Sequence, residues 1–235
     1  MRRLRSRWPL PALALLAATT FVSARSVEDS AQRHAALRIQ YLPSGAFLEK
    51  ASVGYRTLAS DVVWFLTVQY YGEARLRGMD YPLFEHLIDA ALRLDPYFGY
   101  VYEFGSLIIT EELGRFDEGM EMLERGMARL PEDWSLPFEA GFLHYVDARD
   151  YSRAGLFFEV AAKKPGAPDR ARRFAAYVHD KAGHTVNSLR MWMDLHENTD
   201  NPHMRDLARR NIEELVEKLE REGKAVRVPI EDLDR

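Results

Sequence analysis

The residues best equipped for chemistry are seven histidines, two acidic clusters and one serine in a turn, and none of them forms a site in the sequence. His179 and His184 lie close together, with Asp180 beside them and Asp194-x-His196 downstream. Zinc chemistry on a helix needs HExxH or carboxylate-x-x-His spacing, or cysteine ligands. HExxH does not occur and cysteine is absent, so no metal is expected and these read as surface and turn histidines. Glu111-Glu112 and Asp117-Glu118 have the composition of a paired-carboxylate catalyst. They fall at the end of one helix and the start of the next, where acids in a first turn complement the helix dipole. Ser44, between Pro43 and Gly45, lacks the strand–elbow–helix context of a nucleophile and reads as a turn residue. No glycine-rich phosphate loop is present. The chain is therefore expected to be no enzyme and to need no cofactor.

The elements that carry these residues must be helices. The chain has 235 residues, 47% of them hydrophobic, enough for one core or one stacked array. Arg2, Arg3, Arg5 and Arg7 precede an acid-free apolar stretch, Trp8–Val22, that ends in small residues. This is the layout of a secretory signal, with cleavage expected at Ala24. Retention as a single-pass membrane anchor is the alternative, although about 20 apolar residues are usual for a span. Either way residues 1–24 are set apart, and the remainder is expected in the periplasm or facing it. Cleavage would remove four arginines and no acid, taking the formal net charge from −4 to −8. Such a surface repels phosphate backbones, so nucleic acid is not an expected partner.

A repeat organises most of the chain beyond residue 60. Tyr81, Phe116, Tyr151 and Thr185 each come after a short turn and open an amphipathic stretch, 35, 35 and 34 residues apart. Small residues recur three positions later (Gly119, Ala154, Ser188), with Phe84 departing in the first unit. Large apolar residues come next at Ile88, Leu123, Phe158 and Trp192. Small ones recur at Ala91, Gly126 and Ala161, with Leu195 departing. Prolines close the units at Pro96, Pro131, Pro165 or Pro168, and Pro202. Small residues permit close helix approach, and proline ends a helix because its ring and missing N–H forbid continuation. No single hairpin buries its stripe alone; stacking does.

This pattern resembles the tetratricopeptide repeat, in divergent form and over about residues 60–202. The early tryptophan of the repeat's first helix is replaced by Val68, Glu103, Phe138 and Arg172. The stretch from Tyr41 to Gly72 is similar to the start of exported bacterial tetratricopeptide proteins. The resemblance implies an all-α, right-handed solenoid of about four helix-turn-helix units. These begin near residues 65, 100, 135 and 169 within 59–202, after a linker and extension over 25–58. A capping helix over 203–222 and a tail over 223–235 complete the chain. The run from Ala51 to Gly72 carries Leu58, Val62, Val63, Phe65, Leu66 and Val68 nearly all round, which implies burial on more than one side, with the segment 41–48 as part of the cover.

The resemblance also implies a groove lined by the first helix of each unit. Position by position that groove would consist of Gln69, Glu73 and Arg77; Phe104, Ile108, Glu111 and Glu112; Glu139, Leu143 and Asp147; and Arg173, Tyr177 and Lys181. Its middle is apolar and acidic and its C-terminal end basic, which suits an extended peptide with a basic or apolar segment. The implied function is a non-catalytic protein-interaction scaffold of the bacterial cell envelope. A small-ligand or lipid carrier using the aromatic surface between Trp64 and Phe104 is a second reading, and an envelope hydrolase or transferase a third.

Overall fold

The computed structural model describes residues 43–224 together with Thr19, Thr20, Val22, Ser23 and Arg25, which are helical. The expected cleavage point at Ala24, most of the apolar stretch before it, residues 26–42 and the tail from 225 onward lie outside the described residues. Among the described residues all regular structure is helical, and no helix is long and apolar enough to cross a membrane. The chain divides into two compact bodies, Met1–Leu94 and Asp95–Arg235.

The N-terminal body contains α1 (Gly45–Ala51), α2 (Arg56–Arg77) and α3 (Phe84–Leu94). α3 buries Phe84, Leu87, Ile88, Ala90 and Ala91. The long helix α2 meets it through a small and polar face: Ser60, Val63, Thr67 and Ala74 are the buried residues. The Ser60 hydroxyl donates to the Ala91 carbonyl at 2.9 Å, and the Thr67 hydroxyl to Val63 at 2.7 Å. Burial of α2 on more than one side does not occur. Leu58, Val62, Phe65 and Val68 are exposed, because the close approach to α3 uses the small residues and leaves the large ones outside. The segment before α2 folds onto α3 instead: a Cβ on Gly45 would stand 3.1 Å from Ala90 Cα, and Glu49 pairs with Arg93 and Arg56 at 3.1 and 3.0 Å.

The C-terminal body is a run of helical hairpins: α4 (Gly99–Glu111) with α5 (Phe116–Arg129), α6 (Ser135–Val146) with α7 (Tyr151–Ala162), and α8 (Asp169–Lys181) with α9 (Thr185–Asn198). A final helix, α10 (Pro202–Arg221), packs on α9. Each helix contacts the next, and α4 also contacts α6. Phe116, Tyr151 and Thr185 are the first residues of α5, α7 and α9. In the N-terminal body the turn runs longer, so Phe84 rather than Tyr81 opens α3, and that shift accounts for its departure from the small-residue pattern.

Close approach explains the small positions. A Cβ on Gly119 would meet the Ser106 carbonyl at 2.9 Å and Thr110 Oγ1 at 2.1 Å. The turn inside each hairpin requires a left-handed residue, supplied by Gly78, Gly114 and Gly183 with φ of 62°, 67° and 79°. In the third turn Arg149 takes that role at φ 52°, a conformation that side chains with a Cβ adopt at a cost. Asp150 comes next as N-cap of α7 and accepts from Arg153 N at 2.9 Å. At the C-terminal end Trp192, Leu195, Ala208 and Ile212 share one core with Ala171 and Ala175. α10 opens with Pro202 behind the N-cap Asn201, and its Lys218 bonds Asp180 at 2.7 Å.

Candidate functional site

The first helices of the C-terminal hairpins bring acids together. Glu139, on α6, is mostly buried, and its carboxyl is pushed up to about 7 by desolvation and by the charges of Glu103 and Glu111. Glu103, on α4, is raised chiefly by burial and further by Asp133, and is opposed by a hydrogen bond from Ser135 and by the charge of Arg170. Glu111, at the end of α4, is raised by desolvation, then by Asp147 at the end of α6 and by Glu112. Beyond the effect of burial, the charges of Glu103 and Glu111 thus raise the Glu139 carboxyl, and that of Asp147 raises the Glu111 carboxyl, across α4 and α6. Glu103 and Glu139 are partly buried and Glu111 and Asp147 exposed, and like charges close to a partly buried carboxyl are held at a cost to stability.

α6, α7 and α8 also gather tyrosines around one lysine. The Lys181 ammonium lies 5.2, 4.9 and 5.7 Å from the ring centroids of Tyr145, Tyr151 and Tyr177, within cation–π range. Tyr145 and Tyr177 meet edge to face at 6.5 Å. Tyr177 also lines a cleft of about 340 Å³ with Arg173, Phe174, Trp192, Leu207 and Asn211, so α8, α9 and α10 together build an apolar recess next to the tyrosines. Arg170 stacks over Trp134 and Phe138 at 4.8 and 5.4 Å.

Of the residues expected to line a groove, Glu111, Glu139 and Asp147 fall among the acids, Tyr177 and Lys181 fall in the tyrosine cluster, and Arg173 lies over the Phe174 ring at 5.6 Å. Phe104 stacks on Tyr100 at 6.5 Å, and Glu112 caps the end of α4. Ile108 and Leu143 are buried and serve the core. Gln69 is exposed on α2, while Glu73 pairs with Arg77 at 2.9 Å and both line a cleft at the α2–α3 turn. Glu103, Tyr145, Tyr151 and Trp192 are site residues outside the expected groove positions. Glu103 does carry a signal, since a carboxylate stands there where the repeat places a packing tryptophan.

Two histidines, His144 and His179, depart from expectation, whereas His184 is exposed at the turn before α9. His179 is fully buried, with Nε2 3.3 Å from Glu159 Oε2. Glu159 accepts from Lys163 at 2.9 Å and Arg190 at 2.7 Å, contacts that help hold its carboxyl below the ordinary range against the opposing effect of burial. His144 is buried between the rings of Phe116 and Phe157, at 5.2 and 5.3 Å. Burial lowers both imidazoles, and each Nδ1 lacks a hydrogen-bond partner. These are core residues whose environment favours the neutral ring. Asp117 and Glu118 sit in the first turn of α5. Ser44 stands at the N-cap of α1 with no side-chain cap bond. Among the described residues no group of three or more His, Asp or Glu is arranged to hold a metal.

No protein-family model matches the chain, and no curated protein matches it. Among solved structures it is similar to one described as the crystal structure of MamA protein, at 14% identity and a TM-score of 0.39, over 71% of this chain and 98% of that one.

Proposed function

We propose that this chain is a divergent tetratricopeptide-type protein that acts as a non-catalytic scaffold, holding an extended partner segment against α4, α6 and α8. The observation that carries this reading is Glu139. Its carboxyl is pushed up to about 7 by burial and then by the charges of Glu103 and Glu111, and a cationic side chain arriving between Glu103, Glu111 and Glu139 would offset that penalty. The recess at Trp192 and Leu207 offers an apolar side chain of the same segment a place to bury. Localised charge and a few aromatic anchors are the features that give peptide-binding surfaces their affinity and register.

The N-terminal arginines and the apolar stretch behind them support export, so the partner is proposed to lie in the bacterial cell envelope, with residues 1–24 either removed or kept as a tether. N-terminal sequencing of the mature protein distinguishes these: Arg25 as the first residue means cleavage after Ala24. Binding is tested with fluorescent peptides of three kinds: basic–apolar, acidic–apolar and neutral. The basic–apolar set should bind and lose binding in Glu139→Lys and Glu111→Lys proteins whose helicity is unchanged. Equal binding of acidic peptides, or binding that survives both reversals, contradicts the reading. The same recess supports a second reading, a small apolar ligand, since its volume falls in the range of small-molecule sites. Saturable binding of a lipid or dye that Trp192→Ala abolishes and basic peptides leave undisturbed would favour it.

A further inference from the structure

Helix α2 is built inside out. Its buried face is small and polar, with Ser60, Thr67 and Ala74 around Val63. Its outer face carries Leu58, Val62, Phe65 and Leu76, exposed by 60%, 52%, 61% and 90%. With Gln69 and Gly72 between them, these residues succeed one another at intervals of 4, 3, 4, 3 and 4 along the chain. That is the alternation of a coiled-coil seam, in which every such position faces a partner helix. Leaving four large apolar side chains in water is unfavourable for a helix that, among the described residues of its body, packs chiefly on α3. A helix of this length, about 33 Å, presents the seam over its whole outer side.

We propose that a second copy of this chain covers the seam, with the two α2 helices antiparallel about a two-fold axis. In that register Leu58 opposes Leu76 of the second copy, Val62 opposes Gly72, and Phe65 opposes Gln69. The layers are complementary in volume, since Val62 fills the space that Gly72 leaves open; no atom lies within 4 Å of where a Gly72 Cβ would be. The flanks are complementary in charge, because Asp61 comes alongside Arg75 of the second copy. A parallel pairing would set Gly72 against Gly72, leaving a void, and would offer Asp61 only Leu66. A bilayer is a poorer cover, since Asp61 and Gln69 would enter lipid unpaired. A single polar position inside an otherwise apolar seam commonly fixes register, and a two-fold contact uses the same surface on both copies.

The absence of native cysteine makes the register directly measurable. Full-length Val62→Cys and Gly72→Cys proteins are purified separately, mixed and oxidised. The mixture should give a disulfide-linked dimer, and each protein alone should give little. Sedimentation should show a dimer for the unmodified chain, and Phe65→Asp should weaken it by about a hundredfold, as a central hot spot does, with unchanged circular dichroism. Asp61→Arg should weaken it as well, and adding Arg75→Asp should restore it. A monomer at all concentrations overturns the proposal, as does a monomer that instead binds lipid vesicles. Crosslinking of Val62→Cys to itself overturns the antiparallel register.

Discussion

Replacing Glu139 by glutamine should stabilise the protein progressively as pH rises above about 4.5, with the full gain reached near and above pH 7. The native carboxyl titrates at about 7 instead of its ordinary 4.5, because of desolvation and the charges of Glu103 and Glu111. Between those two values the native state holds a proton that the unfolded chain has released, so stability falls as pH rises through this window and levels off above it. A shift of that size corresponds to about 3 kcal/mol at most. Glutamine keeps the shape and removes the charge, and part of the gain is lost in burying its amide. The expected outcome is a melting temperature raised by roughly 3–10 °C at pH 8.5, with the variant and the natural protein converging near pH 5. Thermal and urea unfolding followed by circular dichroism across pH 5 to 8.5 checks this. Parallel curves for the two proteins, or a variant less stable at every pH, would refute the view that these carboxyl groups repel one another at a cost.

Arg149→Gly should stabilise by about 1 kcal/mol, since glycine adopts the left-handed turn conformation without the penalty that arginine bears; denaturant midpoints measure it. Gly119→Ala should destabilise by about 1–3 kcal/mol, because its Cβ would press on the backbone carbonyl of Ser106, and the same unfolding experiment reads the loss. His144→Phe should remove part of the acid sensitivity. A buried neutral imidazole with a lowered pKa contributes stability that is complete above the unfolded value of about 6.5 and is lost as pH falls through the folded value. Phenylalanine fills the same slot between Phe116 and Phe157 without titrating, so the acid limb of the stability curve should flatten.

The helices of the C-terminal body are legible in the sequence because their determinants are local. Small residues at Gly119, Ala154 and Ser188, turn residues before Phe116, Tyr151 and Thr185, and prolines past each second helix state the hairpin pattern directly. The outer face of α2 is not legible, because composition around a helix does not say which face meets a neighbour; α2 packs through serine and threonine where hydroxyl–carbonyl bonds are available, as at Ser60 and Ala91. The acids of α4 and α6 are partly legible. Counting along the repeat reaches Glu111, Glu139 and Asp147, but it also assigns Ile108 and Leu143, which the rotation of each helix turns inward. The tyrosines around Lys181 escape because Tyr145, Tyr151 and Tyr177 come from three helices, and nothing local in sequence ties them together. His144 and His179 look like surface residues by composition, and only the Phe116 and Phe157 rings around the first and the Glu159 contact of the second show otherwise.

Proton release tests the central claim most directly, that an acidic face on α4 and α6 receives a cationic segment. At pH 7 the Glu139 carboxyl is about half protonated, and an ammonium or guanidinium placed beside it should drive that proton off. Calorimetric titration of a basic–apolar peptide in two buffers of different ionisation enthalpy should therefore show net proton release on binding at pH 7. The release should vanish at pH 9 and in the Glu139→Gln protein. Binding without proton release at pH 7, or the same release from the Glu139→Gln protein, would contradict the account.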